Sequence, residues 1–297
     1  MKNVDIIKRK IKNCIPWQLR LQMQLLLAKH PNMRGLLKAR RDVGDYNRDF
    51  MAFLDDMKMD DMEGKTICEL GPGEHLVHAA ICYQMGAKKQ YLIDIADLAG
   101  VGKVISKEEK DAMVLKDMHR KVRELPEMRP QMRWREYLEM IGAEYYTDGL
   151  EGYKRVPTCS VDLLYSNTVV QHIRKNIFEE SVAEMRRMLK PNGKVYHTVD
   201  LKDMIGGRKN HLRFKENEWE DAAHYRMACY TNRYQCGEMC DIFKRNGFRI
   251  TWLERSYFKE PPVRRGKLDE KYRKIENREL MTSEFKMVME KKDGRGM

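Results

Sequence analysis

Long apolar runs are missing from this chain of 297 residues. None reaches the roughly 18 residues that a membrane-spanning helix needs. The first residues, charged and periodic, lack the apolar block and cleavage site of a secretory leader. A disulfide framework is missing too: Cys14, Cys68, Cys82, Cys159, Cys229, Cys236 and Cys240 are odd in number and scattered, as reduced cytoplasmic thiols are. The spacing of the last three fits neither a zinc ribbon nor an iron–sulfur motif, and Cys236 and Cys240, one helical turn apart, read as core. Net positive charge is small over most of the chain. Of the net +12, residues 1–40 account for +9, with ten Lys or Arg against Asp5 alone, leaving +3 for the rest. A nearly neutral body argues against a nucleic-acid partner. No internal repeat or low-complexity segment is present.

One local absence says more. A dinucleotide fold uses G-x-G-x-x-G to seat a pyrophosphate. Here Gly71-Pro72-Gly73 is followed by Glu74-His75-Leu76, with no third glycine. Glu69 and Glu74 flank the turn, and two acids repel a pyrophosphate but suit a cationic ligand.

What is present around that turn is a complete unit. Thr66-Ile67-Cys68 is a strand-length apolar run ending on Glu69. Glu74 to Met85 has helical spacing, with Leu76, Ala79, Ala80 and Tyr83 on one face, and Gln90 to Ile93 is a second strand closing on Asp94. Strand, glycine turn, helix, strand, acid is a βαβ unit fit to hold a nucleoside, the glycines allowing close backbone approach and the final acid accepting from ribose hydroxyls.

The stretch Glu69-Leu70-Gly71-Pro72-Gly73-Glu74-His75 resembles motif I of the class I S-adenosylmethionine-dependent methyltransferases, E/D-x-G-x-G-x-G, with His75 in place of the third glycine. Three later stretches extend the resemblance. Ala143 to Tyr146 is a short strand followed by Thr147-Asp148-Gly149. Ser160 to Ile173, SVDLLYSNTVVQHI, looks like the fourth strand and its turn. Lys190-Pro191-Asn192-Gly193 looks like the L-K-P-x-G turn before strand five. The resemblance covers about residues 45 to 291. It implies a Rossmann-like α/β fold, a seven-stranded mostly parallel sheet with an antiparallel last strand and helices on both faces. It also implies S-adenosyl-L-methionine as cofactor: Glu69, Gly71 and Gly73 at its amino acid end, Asp94 at the ribose, Asp148 and Gly149 at the adenine, and the backbone of Ser166 and Asn167 beside the methionine part. His172 is expected to brace the following helix. Relatives that bind a divalent metal in this turn carry E-x-x-E-H; Thr168 and Gln171 stand at the acidic positions here, so no metal is expected.

Beyond Asp200 the shared pattern ends and acceptor territory begins. No N/D-P-P-Y/F signature of nucleic-acid amino-methyltransferases is present. Asn210, Arg213, Trp219, Tyr230, Asn232 and Arg233 mix polar and aromatic groups near a Gly206-Gly207 hinge, as a hydroxyl-bearing small molecule or glycan requires. The stretch is similar to methyltransferases of bacterial surface-polysaccharide clusters. For transfer to a hydroxyl, His197 and Asp200 near the end of strand five are the candidate bases. N-methylation of an amino compound, protein or nucleic acid is the alternative, and a non-catalytic binding module a second.

Two appendages complete the plan. Residues 1–44 form a basic helical arm: a helical cap, a dimer contact, or a peripheral contact of residues 1–30 with the inner membrane face. Residues 45–297 form the domain, opened by an Asp45–Met57 helix with Tyr46 and Arg48 as possible cofactor contacts. It is interrupted by a helical insertion at 97–141, either a lid or an enlarged helical layer, with a charged helical pattern from Lys107 to Leu125.

Overall fold

The computed structural model describes residues 42–204, 206–221 and 230–292, together with Leu19, Gln22 and Met23. The arm expected over 1–44 otherwise lies outside the described residues, as does Cys229.

Seven strands form one sheet: β1 (Thr66–Leu70), β2 (Lys89–Ile93), β3 (Ala143–Tyr146), β4 (Val161–Asn167), β5 (Leu189–Asp200), β6 (Phe248–Tyr257) and β7 (Thr282–Lys291). The order is β3-β2-β1-β4-β5-β7-β6. β7 runs antiparallel between β5 and β6, and the other neighbours are parallel. The sheet is the one expected, and its register brings the chemistry together. Leu70 lies beside Ile93 on one side and Ser166 on the other, so Glu69, Asp94 and the β4 turn share one carboxyl end. The order reverses between β1 and β4, the usual place for a ligand crevice.

The helices are α1 (Val43–Asp56), α2 (Val77–Gln84), α3 (Lys107–Met113), α4 (Trp134–Met140), α5 (Leu150–Arg155), α6 (Lys175–Met188), α7 (Glu216–Trp219), α8 (Cys236–Arg245), α9 (Glu270–Arg273) and α10 (Asn277–Met281). Alternation along each strand sorts the core. Ile67, Leu163, Tyr165 and Tyr196 pack with Phe50, Phe53 and Leu54 of α1. Leu164, Val195 and Val199 point the other way, against Phe178, Val182 and Met185 of α6 and Phe243 of α8.

The insertion is a helical layer on α2, not a lid: Met113, Met132, Trp134, Tyr137 and Leu138 pack on Leu76, Val77 and Ala80. The helix that begins the charged pattern at Lys107 ends at Met113. Gln84, buried in α2, donates to Met113 O at 2.6 Å and accepts from Leu115 N at 3.2 Å. That side chain takes the backbone groups that a continuing helix would have paired, and Val114 turns extended. Lys190 to Gly193, expected as a turn, lies inside β5, with the extra length absorbed by a register shift against β4.

Candidate functional site

The site is assembled at the carboxyl ends of β1, β2 and β4, under α1. Gly71 and Gly73 both have left-handed backbones, φ +65° and +73°. A Cβ on Gly71 would sit 2.4 Å from Val169 Cγ2, and one on Gly73 would sit 2.8 Å from the Tyr46 hydroxyl. Only glycine meets both the conformation and the space. The turn is tied to the second strand: Gly73 N donates to Asp94 Oδ2 at 3.0 Å, and Ile95 N donates to Oδ1 at 2.7 Å. Gly149, φ +60°, donates to Asp94 O at 2.9 Å, which brings the β3 loop to the same corner. Asp148 forms an ion pair with Arg155.

Glu69 is buried at the end of β1. His78 Nδ1 lies 2.9 Å from its Oε1, and His78 Nε2 lies 3.1 Å from Tyr46 O. The second oxygen, Glu69 Oε2, is buried and has no hydrogen-bond partner among the described residues. The β4 end closes the far side. Asn167 Nδ2 donates to Asp49 Oδ2 of α1 at 2.9 Å, whereas the Ser166 hydroxyl turns to the opposite face of the sheet, 2.8 Å from His197 Nδ1. A cofactor with a cationic amino group and a ribose fits these groups: one orphaned carboxylate oxygen, a second carboxylate at the glycine turn, and two glycines where any side chain would collide.

The acceptor side differs from expectation. His197 faces away from the crevice, on the same side of β5 as Val195 and Val199. It is 0% exposed, 5.5 Å from the Phe243 ring and 2.8 Å from Ser166 Oγ through Nδ1. Burial lowers its pKa to about 3, which makes it a weak base, and its ring is enclosed on the face away from the crevice, out of reach of an acceptor's proton. Asp200 ends β5 and is held by Lys202, whose N–H donates at 2.8 Å and whose Nζ lies 3.0 Å away, both to Oδ1.

Most of the expected acceptor contacts prove to be the loop's own buried frame. Asn232 donates to Val170 O and Ile173 O at 2.9 and 3.0 Å. Trp219 is fully buried and donates to Thr231 O at 2.7 Å. Arg233, at φ +62°, holds Phe214 O and Glu216, each at 2.7 Å. Asn210 donates through backbone and side chain to Asp203 at 2.6 and 3.2 Å, and the Tyr230 hydroxyl donates to Glu220 at 2.8 Å. These five are corrected from contact to scaffold: their side chains are buried and spend these hydrogen bonds inward, with Arg233 Nε the one buried atom of the set left without a partner among the described residues. Arg213 lies in the same loop, in a single 3₁₀ turn over Asn210–Arg213. His172 braces this loop, with Nδ1 2.6 Å from Tyr230 O.

The sequence pattern of the family described as "Methyltransferase domain" matches residues 40–253, well over half of the chain. The chain belongs to that family. A comparison with curated protein sequences finds no match. Among solved structures, the chain is similar to an S-adenosylmethionine-dependent methyltransferase from Mesorhizobium loti, at 13% identity and TM-score 0.42, covering 81% of this chain and 96% of that one. It is similar to phosphoethanolamine N-methyltransferase 2 of Haemonchus contortus, solved with S-adenosyl-L-methionine, at 14% and 0.46, covering 83% and 53%. It is also similar to the 1,6-didemethyltoxoflavin-N1-methyltransferase of Burkholderia thailandensis, at 11% and 0.43, covering 84% and 88%. The methyl donor of this methyltransferase is S-adenosylmethionine.

Two features of the methyltransferase's crevice were missed in the sequence. Ile95, next to Asp94, is 75% exposed, and its position after the strand-ending acid was the available signal. His78 gave none, because its partners come from β1 and α1, and only the folded sheet joins them. His75, in place of the third glycine, is anchored to the insertion by Glu109 Oε1 at 3.3 Å. Among the described residues, no group of three or more His, Cys, Asp or Glu is placed to hold a metal, and no helix is long and apolar enough to cross a membrane.

Proposed function

We propose that the methyl acceptor is a hydroxyl of a small polar molecule or sugar, glycans included, and that Asp200 takes its proton. The observation that carries this reading is the place of Asp200. Thr198 lies beside Asn167 across the sheet, so the acid two residues further on ends β5 next to the cofactor end of β4. A carboxylate there is a base within the usual catalytic classes. The donor supplies, when bound, a sulfonium methyl open to in-line attack, and the chain's task is to hold acceptor and methyl in near-attack geometry. In this reading Glu69 and the glycine turn hold the amino acid end, Asp94 the ribose hydroxyls, and Ile95 with Asp148 and Gly149 the adenine. The likeness of the post-Asp200 stretch to enzymes of surface-polysaccharide clusters supports a glycan acceptor. Residues 1–44 are then a basic appendage to the domain of residues 45–297.

The test is methyl transfer from labelled S-adenosylmethionine to a panel of hydroxyl and amine acceptors. Expected is transfer to hydroxyls, reduced about 100-fold in Asp200→Asn with S-adenosylhomocysteine binding unchanged. Transfer to amines alone overturns the reading in favour of N-methylation.

A further inference from the structure

We infer that His78 is a positioning residue for the methyl donor: it holds Glu69 in the orientation that leaves Oε2 for the donor's ammonium group, and it ties that acid to the roof helix α1. The inference rests on the reading of Glu69 as the group at the donor's amino acid end.

The geometry is closed on three sides. His78 stands one residue into α2, buried, its ring stacked on Phe50 at 4.5 Å and 15°. Tyr46 O is a carbonyl and only accepts, so the Nε2 facing it carries a hydrogen. Nδ1 faces Glu69 Oε1, so the one ring spans the acid at the end of β1 and the backbone of the roof helix. Oε1 is committed to this contact. Oε2, equally buried, is left without a hydrogen-bond partner among the described residues, and a native core rarely leaves such an oxygen unsatisfied. Tyr165 stands beside the carboxylate, its phenol kept protonated by burial first, by the Glu69 charge next and by its own hydrogen-bonding approach to Glu69, an approach too poor in geometry to satisfy Oε2. An ammonium bound next to the Gly71 turn supplies the donors that Oε2 lacks. Because the same imidazole also grips Tyr46 O, whose side-chain hydroxyl lies over Gly73, the amino acid end and the roof are set by one ring.

The experiment compares two ligands by calorimetry on the full chain. S-adenosylhomocysteine carries the amino acid end, and 5′-methylthioadenosine has the same nucleoside without it. His78→Ala is expected to weaken S-adenosylhomocysteine about 10-fold, the effect of one misplaced hydrogen bond to a charged group, and to leave methylthioadenosine unchanged. His78→Gln, which keeps one donor for Glu69, is expected to recover part of the loss. Equal losses for both ligands, or none for either, overturn the inference. Where the alanine variant does not fold, His78→Gln alone decides, since a selective loss of the longer ligand is still required. Glu69→Gln separates the two levels: if it leaves S-adenosylhomocysteine binding intact, the reading of Glu69 itself fails, whereas selective loss there with no effect at His78 sinks only the positioning role.

Discussion

Gly73 donates its backbone N–H to Asp94 Oδ2 at 3.0 Å, so the glycine turn and the acid that ends β2 form one rigid corner. Asp94→Ala removes both the acceptor proposed for the ribose and the anchor of the turn. The expected result is a loss of S-adenosylhomocysteine affinity above about 10-fold, because a charged hydrogen-bond acceptor is worth about 1.5–3 kcal/mol. Asp94→Asn keeps an acceptor for Gly73 N–H and is expected to fall between. Titration calorimetry reads both, and an alanine variant that binds like wild type rules out Asp94 as a contact.

Gly73→Ala tests the same corner from the other side. Its left-handed backbone costs an L-residue about 1–2 kcal/mol, and the new Cβ meets the Tyr46 hydroxyl at 2.8 Å. Reduced stability in urea unfolding is expected. Adding Tyr46→Ala should return the steric part and leave the backbone part. Full recovery in the double variant would mean that φ +73° carries no strain.

His197 and Asp200 separate a buried histidine from a base. Asp200→Asn is expected to cut turnover about 100-fold. His197→Gln, which keeps a polar group near Ser166, is expected to leave turnover within a few-fold. It should also change acid stability. The native pKa of His197, about 3, lies below its ordinary 6.5, so the unfolded chain binds the extra proton between those values. Stability is then present above pH 6.5 and lost towards pH 3, by about 1.4 kcal/mol per pH unit within that window. The glutamine variant should lack this contribution, and equal acid limbs for the two proteins would place His197 in water rather than in the core.

The contrast at β5 also shows what was legible in the sequence. Turn chemistry and strand length carry local information, so the Gly71-Pro72-Gly73 turn and the strand closing on Asp94 were readable from short stretches, while the seven-stranded sheet came from the family resemblance. The face of His197 was readable too: alternation puts it with Val195 and Val199 and against Tyr196, so nearness to the strand end does not bring it to the crevice. The point where the helix of the Lys107–Leu125 pattern ends was not readable, because what stops it is the Gln84 side chain, 29 residues from Met113 in sequence. The acceptor loop misled for a related reason. Asn232, Trp219 and Arg233 have the composition of a sugar site, and nothing local says that their hydrogen bonds are used inward.

That inward use has a measurable consequence. Asn232→Ala removes the donors to Val170 O and Ile173 O, and each buried carbonyl left unpaired costs about 1–3 kcal/mol. The variant is expected to lose stability by a few times RT, with acceptor KM little changed in whatever fraction folds. A selective rise in KM at unchanged melting temperature would restore Asn232 as an acceptor contact.

Lys209 gives a second pH signature, opposite in sign to that of a buried acid. It is fully buried, donating to Gln235 Oε1 at 2.6 Å and to Glu279 O at 2.8 Å, and it pins the acceptor loop to α8 and α10. Burial lowers its pKa from 10.5 to about 7, with Glu279 opposing and Arg255 adding to the shift. Below pH 7 the lysine is charged in both states, and the cost of burying that charge is fully present. Between about 7 and 10.5 the unfolded chain binds the proton and the native one does not, so stability rises with pH, by about 1.4 kcal/mol per unit from this group alone. Lys209→Met abolishes the titration while filling most of the space. Urea unfolding at pH 7, 8 and 9 should show wild type gaining on the variant at each step. Parallel curves would mean that Lys209 keeps its proton in the native protein throughout this range.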